Sequence, residues 1–247
     1  MESLKELYRI GNGPSSSHTM GPKKAAAIFK GRHPSADSFR VTLYGSLAAT
    51  GKGHMTDVAI LSELGEAAGI VWEPTVFKPF HPNGMKFEAL KDGKVTDEWT
   101  IYSVGGGALA NEDMPPSAAD RIYPLTTMAQ IQQWCEDEGT SYWEYVDMIE
   151  GEGIWDYLQQ VWYTMRDSIE RGLRNEGVLP GNLGVRRKAA AYYVKAKGYT
   201  DAMRNRGLLY SYALATSEEN AAGGVIVTAP TCGSSGVLPA VLYHLAT

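Results

Sequence analysis

The chain has only two cysteines in 247 residues, Cys135 and Cys232. That excludes a disulfide framework and makes a reducing cytoplasm the expected setting. No apolar run approaches the ~20 residues needed to cross a bilayer. The N-terminal MESLKELYRI mixes acids and bases where a signal peptide would be apolar, and it reads as an amphipathic helix. Excess positive charge is also missing. The formal net charge is −5, which argues against nucleic acid or an anionic membrane as partner. There is no internal repeat and no low-complexity tract. The remainder, 44% hydrophobic and 21% charged, is an ordinary globular composition, long enough for one large domain or two.

Residues 1–124 mix strand and helix patterns. FRVTLYGSL (Phe39 to Leu47) alternates and is β-branched, so it predicts a strand. TDVAILSELGEAAG predicts a helix with Thr56 or Asp57 as its cap. HPNG (His81 to Gly84) is a turn, and MKFEALKDGKVTDEWTIYSV is a hairpin with Asp92-Gly93 at its tip. The Pro- and acid-rich NEDMPPSAADRIYPL marks a boundary near Pro115 to Pro124. From there the pattern is helical, including a long amphipathic stretch, IWDYLQQVWYTMRDSIERGLRNEG. The expectation is an α+β domain over 1–124 and a mainly α-helical domain over 125–247. The latter reads as incomplete, because GVLPAVLYHLAT is an apolar helix with no closing cap.

Three loops concentrate hydroxyls, glycines and titratable groups. In GNGPSSSHTMGPKK, the serines, His18 and Thr19 precede a helix whose first turn suits Pro22. With Lys23 and Lys24 this segment could grip a small anion at the helix start, with His18 exchanging protons. Alternatively, one serine caps the helix and the others are solvated. In YGSLAATGKGHMTD, Gly51 and Gly53 permit close backbone approach, and Lys52 and His54 carry charge or protons; the spacing is not that of a P-loop. The alternative is a plain turn with a solvated histidine. The third loop, APTCGSSG, holds Thr231, Cys232 and Gly233 ahead of a helix near Val237. Cys232 could be a thiol of lowered pKa or a metal ligand, whereas Cys135 reads as a small packed residue. His33 and His81 precede prolines in turns, and His244 lies on an apolar helix face.

Occurring together and in order, GNGPSSSHTMGP, YGSLAATGKGHMTD, HPNGM, YSVGGG, VWYTMRDSIERGLRNEGVLPG and ENAAGGVIVTAPTCGSSGVLPAVLYHL resemble the bacterial iron–sulfur L-serine dehydratases. The resemblance covers nearly the whole chain. It implies a β domain similar to an allosteric substrate-binding domain, followed by the start of an all-α catalytic domain. It also implies conversion of L-serine to pyruvate and ammonia at a four-iron four-sulfur cluster, in a cytoplasmic homodimer. By the same resemblance His54 is the candidate base, with His18 also catalytic. Ser15, Ser16, Ser17 and Thr19 line the substrate site, and Lys52, Thr231 and Gly233 are further substrate contacts. Three departures stand out. The family's cluster cysteines fall beyond Thr247, so this chain is not expected to hold the cluster by itself. Cys232 stands where some members carry Asn, close to the cluster. The segment from Ile70 to Phe80 is short. Two other readings stay open: a non-catalytic module binding serine or another small carboxylate, and elimination from L-cysteine or L-threonine.

Overall fold

The computed structural model describes residues 1–113 and 121–247, so most of the expected boundary segment, residues 115–120, lies outside the described residues. The chain begins with α1 (Leu4–Leu7) and β1 (Ile10–Asn12). A single π turn (Ser16–Met20) then runs directly into α2 (Gly21–Arg32). Next come β2 (Ser38–Tyr44), α3 (Gly45–Thr50), α4 (Thr56–Leu64), β3 (Gly69–Glu73), β4 (Gly84–Lys91), β5 (Lys94–Gly105) and β6 (Ala108–Ala110). The second half holds α5 (Met128–Glu138), α6 (Tyr142–Glu150), α7 (Ile154–Arg174), α8 (Ala189–Lys197), α9 (Asp201–Ala221), β7 (Val225–Val227) and α10 (Val237–Ala246). The α+β expectation is met, with a mixed sheet.

That sheet has the order β3-β2-β4-β5-β6; β2 and β3 are parallel and the other pairs antiparallel. Its buried face follows the period-2 rule, with Phe39, Val41 and Leu43 of β2 beside Met85, Phe87 and Ala89 of β4. Phe29 of α2 inserts here, its ring 5.5 Å from Phe87 and stacked at 6.2 Å on Trp99. The hairpin turns at Asp92 and Gly93, both with positive φ, as its sequence predicts. The strand predicted over 39–47 stops at Tyr44, because Gly45 adopts φ +50 and turns the chain into α3.

The N-terminal segment departs further from expectation. MESLKELYRI forms one helical turn and then a strand. β1 pairs antiparallel with β7, Ile10 opposite Val227 and Asn12 opposite Val225. Long-range pairing overrides local helix propensity here. Asn12 Nδ2 donates to Gly223 O at 2.9 Å, and the Gly13 N–H donates to Gly224 O at 3.1 Å, which extends the join.

In the helical half, α7 buries Ile154, Val161, Met165, Ser168, Ile169 and Gly172 along one stripe. α9 crosses it closely enough that a Cβ on Gly172 would overlap the Ala215 carbonyl oxygen. Ser168 Oγ and Thr216 Oγ1 meet at 3.0 Å in the same crossing. The Glu219 carboxylate is buried nearby, and burial alone would raise its pKa. Hydrogen bonds from Asn175, Arg187 and Arg171 instead hold it below the usual range.

Gly172→Ala is expected to cost about 1–3 kcal/mol, because a backbone atom must move to admit the methyl group. The urea midpoint followed by circular dichroism reads this; an unchanged midpoint would mean that α7 and α9 separate freely.

Candidate active site

The β1–β7 ladder joins the first of the three loops to the third, and hydrogen bonds join the first to the second at the end of β2. The first is not a simple pre-helix loop. Ser15 is extended, and its Oγ accepts from the His18 N–H at 3.1 Å, while the Thr19 and Met20 N–H groups donate to the Ser15 carbonyl. Ser15 is therefore the cap, and residues 16–20 coil into a π turn. A Cβ on Gly21 would overlap Ser103 Oγ, so the turn can seat this closely on β5 only with glycine there.

The second loop is built by α3, a tight turn and α4. A Cβ on Gly51 would overlap the Leu47 carbonyl. Met55 is left-handed, with φ 56, and reverses the chain just after His54. The expected cap is corrected here: α4 has no side-chain cap. Thr56 Oγ1 donates instead to the His18 carbonyl at 2.6 Å, and Asp57 Oδ1 accepts from the adjacent Val58 N–H.

The centre of the site is a pair of histidines, with the His18 and His54 rings 4.7 Å apart. His18 is held on both sides, Nδ1 by Ser17 Oγ at 3.0 Å and Nε2 by Ser46 Oγ at 3.1 Å. Burial lowers its pKa below the ordinary histidine value and the neighbouring His54 lowers it further; the Ser46 contact opposes both. His54 Nδ1 lies 3.0 Å from the Thr50 carbonyl. Thr19 is buried, and its hydroxyl donates to the His54 carbonyl at 2.7 Å.

Ser15, Ser17, His18, Thr19 and His54 thus come together. Ser16 is buried in the same turn. The Lys52 ammonium points to the Trp72 ring, 5.7 Å from its centroid. The third loop joins through Cys232, whose Sγ lies 3.8 Å from Met20 Sδ. Thr231 and Gly233 are exposed beside it, and Thr231 Oγ1 is 3.1 Å from Ser234 Oγ. Sequence reasoning missed Ser46, the His18 partner. Its only local signal is a hydroxyl immediately after the strand-ending glycine.

Burial pushes the Cys232 thiol up to about 11, so the lowered-pKa reading of this cysteine is corrected. Cys135 is buried apart from it, in a cluster with Tyr123, Ile131 and Tyr145. Among the described residues no group of three or more His, Cys, Asp or Glu side chains could hold a metal. These residues do not fit an iron–sulfur cluster, which takes several thiolates. Among the described residues, no helix is long and apolar enough to cross a membrane.

This geometry, a capped π turn facing a histidine-bearing strand-to-helix loop, occurs in a chain that matches two family models. The serine dehydratase beta chain model covers residues 3–68, and the serine dehydratase alpha chain model covers 54–247. The protein belongs to the serine dehydratase family. It is 36% identical to L-serine dehydratase 2 of Escherichia coli over 99% of this chain and 66% of that protein. It is 36% identical to the L-serine dehydratase of Streptomyces coelicolor, over 98% of this chain and 65% of that protein. The Helicobacter pylori L-serine dehydratase is 30% identical over the same shares. The chain thus spans just under two thirds of the length of the curated relatives it matches.

Two outcomes are expected. Folded His18 binds its proton more weakly than unfolded His18, whose pKa is 6.5. Stability should therefore fall as pH drops through that value and level off below the folded pKa. His18→Gln should flatten this dependence in urea titrations from pH 8 to 5; an unchanged slope would assign it to other groups. Cys232 in the native protein should react with iodoacetamide at pH 8 about a hundredfold more slowly than an unfolded thiol. Mass spectrometry showing equal rates would contradict its burial.

Proposed function

We propose that the protein dehydrates L-serine to pyruvate and ammonia, with His54 as the base. The observation that carries this reading is the 3.0 Å contact of His54 Nδ1 with the Thr50 carbonyl. A carbonyl can only accept, so Nδ1 donates there, and in the neutral imidazole the lone pair falls on Nε2. An imidazole so oriented can take the α-proton of serine. The α-carbon electron pair then forms the double bond as the Cβ–O bond breaks, and the departing hydroxide takes up a proton, balancing the one His54 removed, to leave as water. The enamine tautomerises to the imine, and hydrolysis releases ammonia. Partial burial and the neighbouring His54 both lower the His18 pKa, which favours the neutral form of His18 beside the base. The names of the relatives support L-serine as substrate over L-threonine or L-cysteine.

In this reading the hydroxyls of Ser15, Ser16 and Ser17 hold the polar groups of the substrate. Thr231 and Gly233 contribute from the third loop, and Lys52 contributes on leaving Trp72. Thr19 acts through its bond to the His54 carbonyl. Residues 1–124 form the β domain and 125–247 belong to the α catalytic domain. Support for that division is the confinement of the five-stranded sheet to residues 38–110 and of the two 21-residue helices, α7 and α9, to 154–221. The family implies an iron–sulfur cluster, for which the side chains of the described residues offer no ligand set. A cytoplasmic homodimer is the expected setting, in keeping with two free cysteines and with exposed Val194, Tyr210 and Leu245 on the helical half.

A second reading, a non-catalytic serine-binding module, is favoured by the hydroxyls of Ser15, Ser16 and Ser17 gathered at one turn. Anaerobic assay for pyruvate after iron and sulfide reconstitution, run beside calorimetry with L-serine, separates the two. Pyruvate formation that drops about 10²-fold or more in His54→Ala supports the elimination. Serine binding without pyruvate under every condition supports the module.

A further inference from the structure

The loops that carry His18 and His54 are tied together twice, and the ties are reciprocal. The hydroxyl of Thr19, next to His18, donates to the backbone carbonyl of His54 at 2.7 Å. The hydroxyl of Thr56, two residues past His54, donates to the backbone carbonyl of His18 at 2.6 Å. Thr19 is 2% exposed and Thr56 is fully buried. Thr19 Oγ1 also accepts from the Ser15 N–H at 3.3 Å, so the same hydroxyl fixes the mouth of the π turn. Neither threonine has a donor left for a ligand.

We propose that Thr19 and Thr56 are positioning residues, a reciprocal clamp that sets the spacing and attitude of the two imidazoles. One hydrogen bond between two loops leaves a hinge. Two bonds running in opposite directions between the same segments remove the relative rotation as well. Both carbonyls belong to the histidines themselves, so the clamp acts one residue's geometry away from each ring. These part-buried carbonyls, on losing their donors, would shift toward others, because an unpaired one costs free energy. Three charged side chains of the same segments are engaged elsewhere: Lys52 is turned to Trp72, Lys23 to Asn12 and Glu63, and the Asp57 carboxylate accepts from its neighbour's amide. The consequence for catalysis rests on the reading of His54 as a base; the clamp itself does not.

The test is histidine-ring NMR on the full chain, with Thr19→Val, Thr56→Val and the corresponding serine variants. Signals are assigned through His18→Gln and His54→Gln. The wild-type protein should show a nuclear Overhauser contact between the two rings. Each valine variant should lose it, and the His18 titration midpoint should rise by roughly half a unit or more as the rings part. The serine variants, which keep the hydroxyl, should match the wild type in both respects. Folded valine variants with wild-type ring contacts and midpoints overturn the clamp. If a valine variant does not fold, its serine counterpart decides: loss of the ring contact there would mean that the methyl group, not the hydroxyl, sets the geometry. None of these signals requires turnover, so the clamp can fail while the elimination stands, and the reverse.

Discussion

The three-residue ladder between β1 and β7 is the constraint on which the rest of this molecule depends. It joins segments from opposite ends of the sequence, at a loop-closure cost that local contacts must offset. Close to it, Asn12, Gly13 and Pro14 are bonded to Gly223, Gly224 and Asn220, and the Arg9 N–H donates to Thr228 Oγ1 at 3.0 Å. These bonds fix where the π turn begins. They also place the cysteine loop against Met20. Without the ladder the Ser-His-Thr segment would belong to the sheet domain alone, and the third loop would have no fixed relation to it.

Two buried carboxylates, one in each half, are held by charged and polar partners. Glu88 in the sheet takes a two-pronged contact from Arg40 at 2.7 and 2.8 Å, which holds its carboxyl below the usual range. Glu219 in the helices gathers two arginines and an asparagine. Neighbouring Glu218 accepts from the Lys188 and Ala189 amides at the start of α8. These carboxylates orient elements rather than react, and the histidine pair is built on the frame they stiffen.

Much of the fold was legible because it is periodic. β2, the hairpin at Asp92-Gly93 and the amphipathic α7 each announce themselves within a dozen residues. The ladder was not legible, since three-residue strands carry no pattern and Ile10 reads locally as helix. The site was legible as three loops rich in glycine and hydroxyls, but not as a network. In the sequence Ser15 is one of several equivalent serines, and only the folded turn makes it the cap. Thr56 looked like a cap and proved to be a cross-link. Ser46 was invisible because its role depends on a histidine in another loop. Cys232 illustrates the opposite failure: its motif suggested reactivity, and burial removed it.

The short connection between β3 and β4 carries a further implication. Its Pro82 carbonyl accepts from the Ser46 N–H at 3.1 Å, and a Cβ on Gly45 would press on both that carbonyl and the Phe77 ring. Ser46 in turn holds the His18 ring. A surface loop of this kind ordinarily varies in length at little cost. Here any lengthening must leave Pro82 in place or be felt at the imidazole it reaches through two bonds. Evolutionary freedom in this loop is therefore asymmetric, wide on the β3 side and narrow in the last few residues before β4.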